Sequence, residues 1–299
     1  MLVSLALIVL IGIAVGITTA LFGFGGGFVA VPVIALFDAD LGARAIPVAT
    51  ATSALVMLVN GIVATASTDH RTLARLRGRG LLVALLAAGG AAGAAAGRFS
   101  PEWLIRWGFV AYVAITIADL LLRPGFLRRT QRDERDATPR ARKAGGVPDS
   151  LGFGIGAVAA FLGVGGSVMT VPLMRRAGTS MAVAATLANP LTVAVVAPAF
   201  AVSLLLPPGL GQAGAATASV PGLVGSVDVP SALALLVGAI PVIVLLRRRP
   251  PRIPDSVHAW TYLALLAVSA GAVGGGGGAG GPPAPPRPPP RGAAAPAGR

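Results

Sequence analysis

Long stretches of this chain without Asp, Glu, Lys or Arg include residues 1–37, 45–68, 81–97, 150–174, 177–227 and 229–246. A helix needs about 20 apolar residues to cross ~30 Å of hydrocarbon. A buried soluble core can supply one or two such runs, but not six. Composition agrees, because 55% hydrophobic against 12% charged residues, with a mean hydropathy of +0.80, leaves too little polar surface to coat a soluble body of 299 residues. The weakest segment is 102–122, with Glu102, Arg106 and Asp119 towards its ends. The sequence therefore reads as an all-α polytopic membrane protein, with about 8 transmembrane segments by hydropathy. The first run has no basic residue ahead of it and continues to Phe37, so it is expected to be retained rather than cleaved as a signal peptide.

Within two of these runs a glycine cluster is repeated. Gly23-Phe24-Gly25-Gly26-Gly27 recurs 140 positions later as Gly163-Val164-Gly165-Gly166-Ser167, and each copy is followed by Val-Pro, at Val31-Pro32 and Val171-Pro172. Over 12–32 and 152–172 eight of twenty-one positions are identical, among them Gly12/Gly152, Gly16/Gly156 and Ala20/Ala160. After a loop four residues shorter the register resumes at Thr50/Thr186, and later Pro101, Glu102 and Trp107 face Pro254, Asp255 and Trp260. The chain thus divides into a first membrane repeat at 1–122, an Arg-rich linker at 123–149, a second repeat at 150–273 and a Gly/Pro/Ala tail at 274–299. The linker is expected to be a solvated tether and the tail to be disordered.

The net charge of +13 does not point to nucleic acid, because of where the charge lies. Eighteen basic residues crowd into loops: four between Arg71 and Arg79, eight between Arg123 and Lys143, Arg175 with Arg176, and four between Arg247 and Arg252. These are expected to be cytoplasmic anchors on anionic lipid at the cell membrane. If every apolar segment crossed once, basic residues would divide 12 against 8 across the membrane; if 150–174 instead enters and returns as a re-entrant hairpin, they divide 18 against 2. The glycine cluster splits 150–174 into two pieces of about ten residues, each too short to span. By homology 2–36 is a broken pair as well. Each copy then has an odd number of crossings, the second copy is inverted, and the N-terminus lies outside.

Unwinding a helix in hydrocarbon bares N–H and C=O groups, which is tolerable only where protein or a polar cavity satisfies them. Glycine permits the positive φ angles of such a turn and close approach to the main chain. The helix restarting after Gly27 or Ser167 presents free N–H groups and a positive dipole end, which suits an anion. The competing view is that these glycines only let helices pack closely and that Pro32 and Pro172 are plain kinks. Duplication at matched positions, with the proline held nine residues beyond Gly23 and Gly163, favours the site. A dinucleotide fingerprint is excluded, since Phe28 and Val168 occupy the last glycine position.

With these motifs the chain resembles the sulfite exporter TauE/SafE family of bacterial membrane permeases. The resemblance rests on Gly16, Gly23, Gly25, Gly26, Gly27 and Pro32 followed by Ala49-Thr50-Ala51-Thr52-Ser53, and on Gly156, Gly163, Gly165, Gly166, Ser167 and Pro172 with Ala185-Thr186. It covers most of 1–270 and implies secondary transport, often export, of small anions such as sulfite or sulfonates. Ser167 stands where a third glycine is usual, and the last helix runs early into Gly274–Gly278.

The expected substrate-binding residues are Gly23, Gly25, Gly26, Gly27, Thr50, Thr52, Ser53, Gly163, Gly165, Gly166, Ser167, Thr186 and Asn189, with kinks at Pro32, Pro172 and Pro190. The hydroxyls either donate to oxyanion oxygens or bond their own i−4 carbonyls; Asn189 before Pro190 is expected to border a helix break. Asn60 and Thr192 are further polar residues on the same two segments. Apart from Asp119, near the end of its segment, no carboxylate lies deep in an apolar run, so any proton is expected to travel on the substrate, or transport to be uniport. With no cysteine, two histidines and no paired intramembrane carboxylates, neither an enzyme nor a metal or cofactor site is expected. An anion channel and a non-transporting assembly factor are the alternatives.

Overall fold

The computed structural model describes residues 2–27, 45–122, 147–205, 223–224 and 227–275. Among them are ten helices: α1 (Leu2–Phe22), α2 (Ala45–Ala66), α3 (His70–Leu73), α4 (Gly80–Arg98), α5 (Glu102–Leu122), α6 (Gly152–Phe161), α7 (Ser167–Arg176), α8 (Met181–Leu205), α9 (Val229–Arg248) and α10 (Asp255–Gly275). A two-residue antiparallel ladder, Leu223 opposite Asp228 and Val224 opposite Val227, leads into α9. Asp228 caps that helix by accepting from the Ser231 N–H at 3.3 Å. Pro32, linker residues 123–146 and tail residues 276–299 lie outside the described residues.

Helix dominates because each spanning segment must satisfy its own backbone where there is no water. Among the described residues six helices are long and apolar enough to cross a membrane, namely Val48–Ala66, Gly80–Arg98, Trp103–Leu122, Met181–Leu205, Val229–Arg248 and Asp255–Gly274; the apolar stretches Ala6–Phe22 and Asp149–Phe161 are shorter. Segment 102–122, weakest by composition, is helical throughout, and α10 continues to Gly275. Large apolar side chains face outward, including Leu10, Ile115, Val237 and Val268, each more than 60% exposed. Such a surface suits contact with lipid. Trp103, Trp107 and Trp260 are also exposed and lie within two turns of helix starts, where an aromatic belt would sit.

Small residues set which helices touch. A methyl group on Gly12 would strike the Leu235 carbonyl and one on Gly16 the Ala239 carbonyl, so α1 lies backbone to backbone on α9. In the same way Gly89 meets the Phe153 carbonyl, Gly93 the Ala157 carbonyl and Gly156 the Leu86 carbonyl, so α6 lies on α4. Here the packing role is real for Gly12, Gly16, Gly152 and Gly156. We expect Gly93→Leu to lower stability by about 1–3 kcal/mol through overpacking. Gly154→Ala, with nothing within 4 Å of the added carbon, should not lower it and should raise it by up to about 1 kcal/mol. Thermal unfolding in detergent checks both, and equal shifts would contradict the packing.

Ion pairs fix the direction of the segments. Arg79, just before α4, pairs with Asp149, just before α6, at 2.9 Å and also donates to the Val147 carbonyl, so the last residues of the expected linker are packed, with Val147 buried. Arg176, ending α7, pairs with Asp119 near the end of α5 at 2.5 Å, and Arg175 pairs with Asp255 at the start of α10. Arg106 in the first turns of α5 donates to the Val273 and Gly274 carbonyls at the end of α10, so these two helices are antiparallel. The short turn at Phe99–Pro101 makes α4 and α5 antiparallel as well. The start of α6 and the end of α7 therefore lie at one end of the bundle. Its arginines make this the arginine-rich end. Because α1 runs alongside α9, whose last turn carries Arg247 and Arg248, α1 approaches from the opposite end.

One expectation changes. Asn189–Pro190 does not border a break, because α8 runs unbroken from Met181 to Leu205 through Pro190 and Pro198. Proline removes one ladder bond, but neighbouring helices can hold a membrane helix straight around it. His258, in the first turn of α10, is buried. Its Nε2–H donates to the Leu21 carbonyl at 2.7 Å, satisfying one of the free carbonyls at the end of α1.

Candidate functional site

The chain leaves helical geometry after Phe22 and after Phe161 and regains it at Gly27 and Ser167. Between these points Gly23, Gly25 and Gly26 take φ of +75°, +66° and +95°, and Gly163 and Gly165 take +70° and +68°. The left-handed region costs any L side chain, so the matched pairs 23/163 and 25/165 are glycine for a backbone reason. Gly166 departs from Gly26, with φ of −76° as the cap of α7. Ser167 is then an ordinary first helical residue, and a third glycine is not required there.

The two turns meet. A methyl group on Gly25 would lie 3.4 Å from both Met57 and Thr192; one on Gly165 would lie 3.0 Å from Thr192 Cγ2 and 3.8 Å from Met57 Sδ. Two segments 140 residues apart thus converge on one side chain of α2 and one of α8. Each turn is backed by a helix of the opposite half: Gly23 abuts the Ala185 carbonyl and Ala188 of α8, while Gly163 faces Thr50 of α2 at 4.0 Å. Tyr262 of α10 joins them from the side, stacking on Phe24 with ring centroids 5.0 Å apart and donating to the Val168 carbonyl at 3.3 Å. In α7 the Thr170 N–H bonds the Gly166 carbonyl at 3.1 Å, so the N–H groups of Ser167, Val168 and Met169 precede the ladder. The cap residue, Gly166, has no side chain with which to cap them.

The expected polar residues separate into two groups. Ser167 and Asn189 lie at the turns, fully buried; Asn189 Nδ2 donates to the Ala185 carbonyl at 3.2 Å, beside Gly23. Thr50 lies against Gly163 but is exposed. The remaining hydroxyls hold structure: Thr52 Oγ1 accepts from the Asp228 N–H at 2.9 Å, Ser53 donates to the Thr50 carbonyl at 2.9 Å, and Thr186 donates to the Ala182 carbonyl at 2.7 Å while accepting from Arg247. Sequence reasoning noticed Asn60 and Thr192 without placing them in the site, and missed Met57 and Tyr262. Asn60 Nδ2 donates to the Gly25 carbonyl at 3.3 Å. A signal existed, for Asn189 and Thr192, like Met57 and Asn60, are three apart and share one helix face.

This arrangement offers a water-poor centre with main-chain N–H groups, hydroxyls and amides. Among the described residues no group of three or more His, Cys, Asp or Glu is placed to hold a metal ion. The family model for sulfite exporter TauE/SafE matches residues 8–273 of the chain. No curated protein and no solved structure matches it.

Proposed function

This chain belongs to the sulfite exporter TauE/SafE family, a family of membrane transporters, and on that premise we propose that it exports a small anion by secondary transport through the centre where its glycine turns meet. The anion, sulfite or a sulfonate by its chemistry, is held by the main chain at Gly23–Gly27 and Gly163–Ser167 and by the Ser167 hydroxyl, with Thr50 and Asn189 beside it. Thr52, Ser53 and Thr186 serve as scaffold around this set. The observation that carries the reading is the convergence of Gly25 and Gly165 on Met57 and Thr192. A helix that unwinds inside hydrocarbon needs something to satisfy its bare groups, and two that unwind towards one point suit a solute passing between them.

The two halves act as inverted copies. Support comes from α1 and α6 approaching from opposite ends and from each turn resting on the other half, at Ala185 and Thr50. The arginine-rich end faces the cytoplasm of a cell-membrane protein, as the bias of basic residues towards that side favours. Rocking of one half against the other would then expose the shared centre alternately.

Efflux of sulfite, sulfonates and carboxylates from vesicles holding the purified protein tests this. Saturable flux with counterflow is expected. Flux that is linear in concentration without counterflow would replace the carrier by a channel, and no flux of any anion would leave an assembly role.

A further inference from the structure

Four buried side-chain atoms at this centre have no hydrogen-bond partner among the described residues: Ser167 Oγ, Thr192 Oγ1, Asn60 Oδ1 and Asn189 Oδ1, each on a residue with 0% exposure. Buried polar groups are nearly always paired, and four orphans around two glycine turns point to a ligand that pairs them. The amide orientations are set by chemistry. Each Nδ2 faces a carbonyl, Gly25 at 3.3 Å and Ala185 at 3.2 Å, and flipping either amide would set oxygen against oxygen. What each asparagine leaves open is therefore an acceptor. A bare oxyanion, which only accepts, satisfies the hydroxyls and the N–H groups of α7 but repels those two oxygens.

We propose that the ligand is a singly charged oxyanion that also carries a hydrogen-bond donor, such as the monoprotonated form of sulfite or a hydroxyalkyl sulfonate. This rests on the anion-transport reading above. Its oxygens sit on Ser167, Thr192 and the first N–H groups of α7, and its donor is received by Asn60 or Asn189. Charge fits as well. The start of α7 contributes roughly half a positive charge, and no described cationic side chain hydrogen-bonds any of the four atoms. A second negative charge would be buried without compensation. The titratable groups nearby are engaged elsewhere: Tyr262 on the Val168 carbonyl, His258 on the Leu21 carbonyl, Arg247 on Thr186, Arg175 on Asp255 and Arg176 on Asp119.

The test compares ethanesulfonate with 2-hydroxyethanesulfonate, which differ by one hydroxyl, in vesicles holding the full chain at a single pH. The hydroxylated anion is expected to move roughly tenfold to a hundredfold faster at low concentration, the range expected for leaving a buried acceptor unpaired. In the variants Asn60→Leu and Asn189→Leu the flux of both anions falls as the turns lose a support, and in at least one variant that ratio should fall towards one; a ratio unchanged in both would overturn the inference. Equal flux of the two anions through the natural protein would overturn the inference and leave anion transport standing. Absence of flux for both, and for sulfite, would overturn both readings together. Should a leucine variant fail to fold, Thr192→Val provides a second measurement, expected to lower flux of both anions alike and to preserve their ratio; a changed ratio would count against the assignment.

Discussion

Gly165→Val is expected to reduce anion flux to background. At φ of +68° any L residue costs about 1–2 kcal/mol, and a β-branched one more. The added carbon also lands 3.0 Å from Thr192 Cγ2, at the point where the two turns meet. Relaxation therefore moves the site itself rather than its periphery. Gly25→Val, at +66° and against the same threonine, should behave alike, which is the mark of a shared centre. Gly154→Ala in α6, which meets nothing within 4 Å, serves as the control and should transport as the natural protein does. Sulfite efflux normalised to folded protein gives the comparison, and natural-rate flux through either valine variant would refute the role of the turns.

The second large effect is on stability. Arg175 is 3% exposed at the end of α7, and Asp255 bridges it to α8 by also accepting from the Met181 N–H at 2.9 Å. Asp255→Ala removes the carboxylate from a buried guanidinium and the start of α8 from its anchor. Breaking one side of such a pair typically costs about 3–5 kcal/mol, and the part exposure of Asp255 puts the expected loss at the lower end, about 3 kcal/mol. Unfolding midpoints in detergent should show it. Asp69→Ala is the comparison: Asp69 only caps the four-residue α3, accepting from the Arg71 N–H at 3.2 Å, so a loss of about 1 kcal/mol or less is expected. Equal losses would mean that the Arg175 pair contributes no more than a surface cap.

The membrane character of the fold was legible in uncharged runs because hydrocarbon imposes a length and an apolarity on each helix. The glycine clusters were legible because backbone constraints act locally: a residue that must take positive φ is glycine whatever surrounds it. That Met57 and Thr192 stand where the turns meet was not legible, since it depends on how α2 and α8 pack. Neither was the use of the Thr52 hydroxyl by Asp228, 176 positions away. The continuity of α8 through Pro190 contradicts a local rule for the same reason, because packing against neighbours outweighs one missing N–H. Local chemistry thus marked where the backbone breaks, and tertiary packing decided which side chains the breaks face.

The most direct measurement is the position of a bound anion. Selenite, an analogue of sulfite, supplies a selenium atom whose anomalous scattering locates it in crystals of the protein without a modelling choice. One peak is predicted between the turns, placed so that the anion's oxygens lie within hydrogen-bond reach of Thr192 Oγ1 and the first N–H groups of α7. A peak confined to the arginine-rich end near Arg175, Arg176 or Arg247, or none at saturating selenite, would contradict the account.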